Sequence, residues 1–372
     1  MIRHLPSWTA GSRLARALRP RRLATTAALL AAAALALWLL VRVVADATVH
    51  STTPTHAASP TAHAPTVGRR AGVAHRRLVA PRPPVPLGVY AGPGSVATAD
   101  AFGAAAGAPV PYAFDYLDGT SWQTIDDPRW FLERWDGSGF KMIWGVPMLP
   151  STGGATMAAG AAGLYDGYFS TLAQVLVANG QANSLIALGW DPNDASVPWA
   201  ATSAQAARLY VAYWRQVVTT MRSVAGQQFL FVWDDAAGSG VAPDTLYPGD
   251  TYVDLVATDA FDVGLGLANP SWSELASAAY GPDWFAAFAA QHHKPFMIAK
   301  WGVVPTAASG GGDDPTFVRQ FLAWAAQEGV VMAVAWDDGS WALAGGSFPR
   351  SAQMLRTAEA DAPAPLARAV GA

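Results

Sequence analysis

The chain has 372 residues, 52% of them hydrophobic and none of them cysteine, so it can bury a large core but can form no disulfide, thiol nucleophile or thiolate metal site. Its net charge of −3 hides two regions: residues 1–86 carry 12 arginines and a single acid, Asp46, whereas the rest carries 12 basic and 26 acidic residues. An acidic folded part argues against nucleic acid as a partner.

Residues 1–22 are basic, and Leu23 to Val41 then runs nineteen residues without a charge, seven of them leucine. At about 1.5 Å per residue that run spans a hydrocarbon layer. Six arginines ahead of it (Arg3, Arg13, Arg16, Arg19, Arg21 and Arg22) hold the amino terminus in the cytoplasm, so a single-pass anchor over 23–45 is expected, with the rest of the chain outside the plasma membrane. The rival reading is a signal peptide cleaved near Ala45-Asp46-Ala47, which would release the protein. Residues 46–85 are rich in Pro, Thr, Ala, His and Arg without apolar periodicity, the composition of a disordered linker. Its histidines, His50, His56, His63 and His75, are too widely spaced for a metal site, and no other His/carboxylate run has ligand spacing. Neither a metal nor any other cofactor is expected.

From Pro86 onward short apolar runs alternate with helical patterns, as in an α/β fold with parallel strands. Eight strands are predicted: Leu87 to Tyr90, Tyr112 to Tyr116, Lys141 to Val146, Leu185 to Trp190, Phe229 to Asp234, Leu255 to Asp259, Phe296 to Lys300 and Val331 to Asp337. Helical three-and-four spacing falls between them, for example at Tyr165, Phe169, Leu172 and Leu176, at Ala207, Tyr210, Trp214 and Val218, and at Phe317, Phe321 and Trp324. Ser203 and Asp314-Pro315 read as helix starts, and Asn179-Gly180, Gly226 and Gly329 as stops. Eight such units predict a (β/α)8 TIM barrel over 86–358, followed by a disordered tail over 359–372.

Active sites of such barrels lie at the carboxyl ends of the strands. Here those ends are crowded with Asp and Trp: Asp115, Trp144, Trp190 with Asp191, Trp233 with Asp234 and Asp235, Asp259, Trp301 beside Lys300, and Trp336 with Asp337. Indoles stack on the apolar faces of sugar rings and carboxylates accept hydroxyl hydrogens, so a polysaccharide or oligosaccharide is the expected ligand. Asn193 and Phe261 join this substrate-binding set. His292-His293 reads as a helix C-terminal cap rather than a ligand pair.

Several segments resemble glycoside hydrolase family 26, the retaining β-mannanases, in order and spacing. They are Gly163-Leu-Tyr-Asp-Gly-Tyr-Phe169, Leu188-Gly-Trp-Asp-Pro-Asn193, Tyr213-Trp-Arg215, Tyr247-Pro-Gly-Asp-Thr-Tyr-Val-Asp254 and Lys294-Pro-Phe-Met-Ile-Ala-Lys-Trp-Gly302, with Gly311-Gly-Asp-Asp-Pro315 following. The resemblance implies an acid/base glutamate at the end of strand four and a nucleophilic glutamate at the end of strand seven; this chain has Asp191 and Lys300 there. Phe261 falls in a stretch where the family carries a tyrosine that steadies the nucleophile.

Retaining hydrolysis needs two carboxyl groups roughly 5 to 5.5 Å apart, one to protonate the leaving oxygen and one to form the glycosyl-enzyme. A lysine ammonium has no lone pair for the second task, and its charge opposes an oxocarbenium ion. A cation next to Asp191 also favours a carboxylate where a general acid must hold its proton. The expectation is an Asp191/Lys300 ion pair across a sugar-shaped cleft that binds β-linked, mannan-type polysaccharide with hydrolysis lost or weak. Two alternatives stand beside it. One is an active glycanase pairing Asp191 with Asp234, Asp235, Asp259 or Asp337; the other is a cell-surface scaffold.

Overall fold

The computed structural model describes residues 84–238, 240–263 and 271–361. The basic segment, the membrane span and nearly all of the linker expected from the sequence lie outside the described residues. Among the described residues no helix is long and apolar enough to cross a membrane.

Eight parallel strands close into a barrel in sequence order: β1 Leu87–Tyr90, β2 Tyr112–Tyr116, β3 Lys141–Val146, β4 Leu185–Leu188, β5 Leu230–Asp234, β6 Leu255–Phe261, β7 Phe296–Gly302 and β8 Ala333–Trp336, with β8 pairing back onto β1. The helices between them are α1 Val96–Ala106, α2 Trp122–Asp126, α3 Arg129–Trp135, α4 Met157–Ala161, α5 Asp166–Ala178, α6 Ala204–Arg222, α7 Trp272–Ala276, α8 Pro282–Gln291, α9 Pro315–Glu328 and α10 Pro349–Asp361. This is the predicted (β/α)8 architecture. Strands buried on both faces explain why their sequences read as unbroken apolar runs.

Alternation along the strands makes two cores. Inside the barrel pack Phe114, Ile143, Leu185, Ala187, Val232, Leu255, Ala257, Met297, Ala299 and Val334. Between sheet and helices pack the opposite parities, including Met142, Trp144, Ile186, Leu188, Phe231, Trp233, Ile298 and Trp301.

The predicted helix signals act as local chemistry dictates. The Ser203 hydroxyl accepts from the Ala206 amide at the start of α6, and the Asp314 carboxylate accepts from Thr316 and Phe317 ahead of α9, whose first residue is Pro315. Gly329 closes α9 in the left-handed region at φ 71°. Helix α6 ends at Arg222, before the predicted stop at Gly226, and α10 continues to Asp361, past the expected domain end at 358. The Arg356 guanidinium of α10 donates to the Ala105 carbonyl and so seals the last helix onto α1.

Candidate functional site at the mouth of the barrel

Strand β4 stops at Leu188, two residues short of the predicted end, because the chain turns through the left-handed region at Gly189 (φ 56°) and again at Asp191 (φ 47°). Aspartate is one of the few side chains that tolerate this region. The turn is fixed by the Asp191 amide, which donates to the Asp234 carbonyl at 3.1 Å, and by the Asn193 side chain, which donates to the Ala236 carbonyl at 2.8 Å. The Asp191 carboxylate is thereby delivered over the barrel axis.

Strict alternation from the inward Met297 would turn Lys300 outward. A bulge prevents it: Thr258 pairs with Ile298 and the next residue, Asp259, pairs with Lys300, so β7 holds one extra residue. Ala299 and Lys300 both face the interior, and Trp301 takes the outward place.

Three carboxylates converge on that lysine. Lys300 Nζ donates to both Asp191 oxygens at 3.0 Å and to Asp234 Oδ2 at 3.0 Å, and lies 3.1 Å from Asp259 Oδ1. Side-chain exposure is 3% for Lys300, 0% for Asp234 and 5% for Asp259, against 15% for Asp191, so Asp191 is the member that meets solvent. Burial pushes Asp234 up to about 6 and Asp259 well above the usual carboxylate range, with the Lys300 ammonium opposing both. Burial pulls the lysine down, but Asp191, Asp234 and Asp259 together outweigh it and hold the amine well above its ordinary value. The three carboxylates thus favour the charged form of Lys300.

One oxygen from each of Asp191, Asp234 and Asp259 lies within 4.8 Å of the others, a spacing able to hold a metal ion. Sequence spacing showed no metal-ligand pattern here, because the three members lie on β5, on β6 and in the turn just beyond β4. The cation among them is the chain's own ammonium, whose charge would repel a metal at the same place.

Around this floor stand aromatic rings. Tyr116 packs on Trp190 with ring centroids 4.7 Å apart, Tyr90 packs on Trp336 at 4.4 Å, and Phe261 lies edge-on to Trp341 at 5.7 Å. Trp190 is half-buried and keeps part of its indole at the mouth, braced from behind by Trp199 at 4.8 Å. Trp336 and Phe261 are 6% exposed and form the inner wall.

The remaining expected site residues are placed elsewhere. Trp144, Trp233 and Trp301 are fully buried at outward parity among the helices, which corrects their reading as sugar platforms, since no face of these indoles reaches the mouth. Asp115 also sits at outward parity; its carboxylate accepts from the Gly94 amide (2.7 Å), the Trp135 indole (2.7 Å) and the Tyr116 amide (2.9 Å). Burial raises it to about 7. Asp337 accepts from the Ala344 amide at 2.9 Å and so ties down the loop after β8. Asn193, as described, braces backbone. Asp115, Asp337 and Asn193 are therefore structural ties rather than ligand contacts in this geometry. Asp235 is buried beside Thr258, whose hydroxyl donates to its carbonyl. Sequence reasoning missed Tyr90, Tyr116 and Trp341. The signal for the first two was available, because each ends its strand two residues beyond an inward-facing position.

Both Asp191 oxygens are engaged by a cation, Asp234 and Asp259 are buried beneath it, and the aromatic walls remain.

The sequence profile of glycosyl hydrolase family 26 matches residues 193–297. No curated protein matches the chain. Among solved structures, the YdhT protein of Bacillus subtilis and the Bacillus subtilis mannanase BCman each align with a TM-score of 0.54 at 17% identity, covering 73% of this chain and 84% of theirs. A Cellulomonas fimi endo-beta-1,4-mannanase double mutant aligns with a TM-score of 0.52 at 16% identity, covering 75% of this chain and 71% of its own. At these identities the likeness is one of fold.

Proposed function

We propose that the chain is a member of glycoside hydrolase family 26 whose barrel binds a β-linked, mannan-type glycan at its mouth, with retaining hydrolysis lost or weak. The family profile and the fold shared with mannanases support the first part. One observation carries the second: the Lys300 ammonium lies within 3.1 Å of Asp191, Asp234 and Asp259, on the strand where the resemblance calls for the nucleophile. A positive charge there opposes the oxocarbenium ion that a retaining enzyme must stabilise. Sugar binding survives this substitution, because it needs only the ring faces of Trp190 and Tyr116 and the solvent-facing edge of Asp191.

Calorimetric titration with mannohexaose, run beside a reducing-end release assay on mannan, tests the reading. Binding without turnover is expected, and Trp190→Ala should weaken it about tenfold, the equivalent of one lost stacking contact. Failure to bind mannohexaose, cellohexaose or xylohexaose would overturn the proposal.

The active-glycanase alternative draws on one distance. One oxygen from each of Asp191, Asp234 and Asp259 lies within 4.8 Å of the others, closer than the roughly 6.5 to 9.5 Å that inversion requires, so a pairing among these three would act by retention. Release of reducing sugar that vanishes in Asp191→Asn would establish that reading in place of ours. We further propose that residues 1–45 anchor the barrel outside the plasma membrane. Membrane fractionation with protease accessibility on intact cells checks this, and a soluble cytoplasmic barrel would exclude it.

A further inference from the structure

A second feature lies on the outer wall, away from the mouth. Between β5 and β6 the described chain makes a single 3-10 turn, Pro243–Leu246, where other connections carry an α-helix. The helical ring is thin there, and beside α8 it leaves a pocket of about 440 Å³. Its lining includes Asp244 and Tyr247 from the turn, and Trp284, Phe288, Gln291 and His292 from α8 and its C-cap.

The apolar side of this pocket is built of packed rings. Trp284 stacks on Phe288 with centroids 4.9 Å apart and an interplanar angle of 17°, and is held edge-on by Phe285 (5.0 Å) and Tyr280 (5.5 Å). The imidazole of His292 packs on Phe288 at 4.2 Å and on Tyr247 at 4.8 Å. Its Nδ1 lies 2.7 Å from Asp250 Oδ1, and the Tyr247 hydroxyl donates to the same oxygen at 2.9 Å. One carboxylate therefore fixes both rings. Lys294 Nζ donates to the Asp250 carbonyl at 2.7 Å and pins the backbone that carries it. The rim is polar: Asp244 and Gln291 are exposed at its edge.

Phe288 and Tyr247 are buried backing, and the partly exposed Trp284 and His292 are the rings that a ligand can reach. An indole held in place beside a few polar groups suits a ligand with one apolar face and a girdle of hydroxyls. Such pre-organisation lowers the ordering cost of binding. The acidic rim disfavours a uronic acid, and the pocket is too compact for an amphipathic partner helix, which needs successive anchors along a groove. We propose that this outer pocket is a second glycan-binding site, taking a neutral pyranose unit of the same chain that enters the mouth. It takes its ligand class from the reading of the barrel as glycan-binding, but uses no residue of the mouth.

The test is calorimetric titration with mannohexaose, cellohexaose and xylohexaose of the wild type, Trp284→Ala, the rim variant Asp244→Ala/Gln291→Ala and the mouth variant Trp190→Ala. Two sites are expected in the wild type on at least one glycan. Trp284→Ala should weaken one of them about tenfold and spare the other. The rim variant should weaken the same site several-fold with an unchanged melting temperature, which separates lost contacts from lost folding. Trp190→Ala should leave that site intact, so a defective mouth and an absent outer site give different results. The proposal is overturned by a single site that follows Trp190 alone, by unchanged binding in both outer-pocket variants, or by no binding of any of the three glycans.

Discussion

Two sets of carboxylates end the strands of this barrel, and one step of strand parity separates their chemistry. Asp234 and Asp259 face inward and, with Asp191 above them, share the ammonium of Lys300. Asp115 and Asp337 face outward and accept backbone and indole hydrogens that fasten loops. The inner set balances charge against charge and leaves one carboxylate edge at the surface. The outer set satisfies neutral donors and presents nothing to a ligand. An acidic residue at a strand end is thus informative only together with the face it occupies.

The sharpest way to break this comparison is to remove the inner counter-charge. Lys300→Ala strands three carboxylates around an empty centre, and taking one partner from a buried ion cluster costs about 3 to 5 kcal/mol. Asp234 and Asp259 already sit above the usual carboxylate range, through burial, and lose their opposing cation in this variant. Groups whose folded values are raised give stability at low pH and lose it as pH rises, so the deficit of Lys300→Ala should grow from pH 5 to pH 8. Urea unfolding across that range measures it. A deficit below about 1 kcal/mol at pH 8 would mean that the cluster is not coupled as its distances imply.

The outer set is expected to respond less, and with its own pH signature. Asp115→Ala leaves the Gly94 amide, the Trp135 indole and the Tyr116 amide without their acceptor, at a cost of about 2 to 3 kcal/mol. Burial raises the Asp115 carboxyl to about 7, so its contribution is full below about pH 4 and is lost as pH climbs to about 7. The wild type should carry a downward slope of up to about 1.4 kcal/mol per pH unit from this group, and Asp115→Ala should flatten it. An unchanged slope would assign the proton to another residue.

Much of this was legible in the residues. The eight apolar runs located the strands because both faces of each are buried, and the ion pair expected between Asp191 and Lys300 is present at 3.0 Å. Three things were not legible. Counting Trp at strand ends ignored parity, which sends Trp144, Trp233 and Trp301 to the helix-facing layer. The convergence of Asp234 and Asp259 on Lys300 depends on the bulge at Ala299, which a period of two does not contain. The outer pocket arises where the described residues of the β5–β6 crossover make only a 3-10 turn, and so short an element leaves no motif. His292, by contrast, read correctly as the cap of α8, and its second role emerged only when Asp250 was brought to its ring.

The smallest expected effect sharpens the comparison within the inner set itself. Asp191 differs from Asp234 and Asp259 in being partly exposed and in holding a left-handed backbone, φ 47°. Asparagine accepts that backbone and keeps one oxygen toward Lys300, while Asp234 and Asp259 still balance the ammonium, so Asp191→Asn should cost less than about 1 kcal/mol. Alanine removes the same charge but meets a steric penalty of about 1 to 2 kcal/mol in the left-handed region. Thermal unfolding of the two variants separates charge from backbone. If alanine is no worse than asparagine, the turn at Asp191 stores no strain, and the carboxylate is held over the barrel by Lys300 alone. If alanine is worse by the expected margin, the backbone delivers the carboxylate independently of its partner. An aspartate would then remain at the surface of the mouth even when the ammonium is removed, available to accept a sugar hydroxyl.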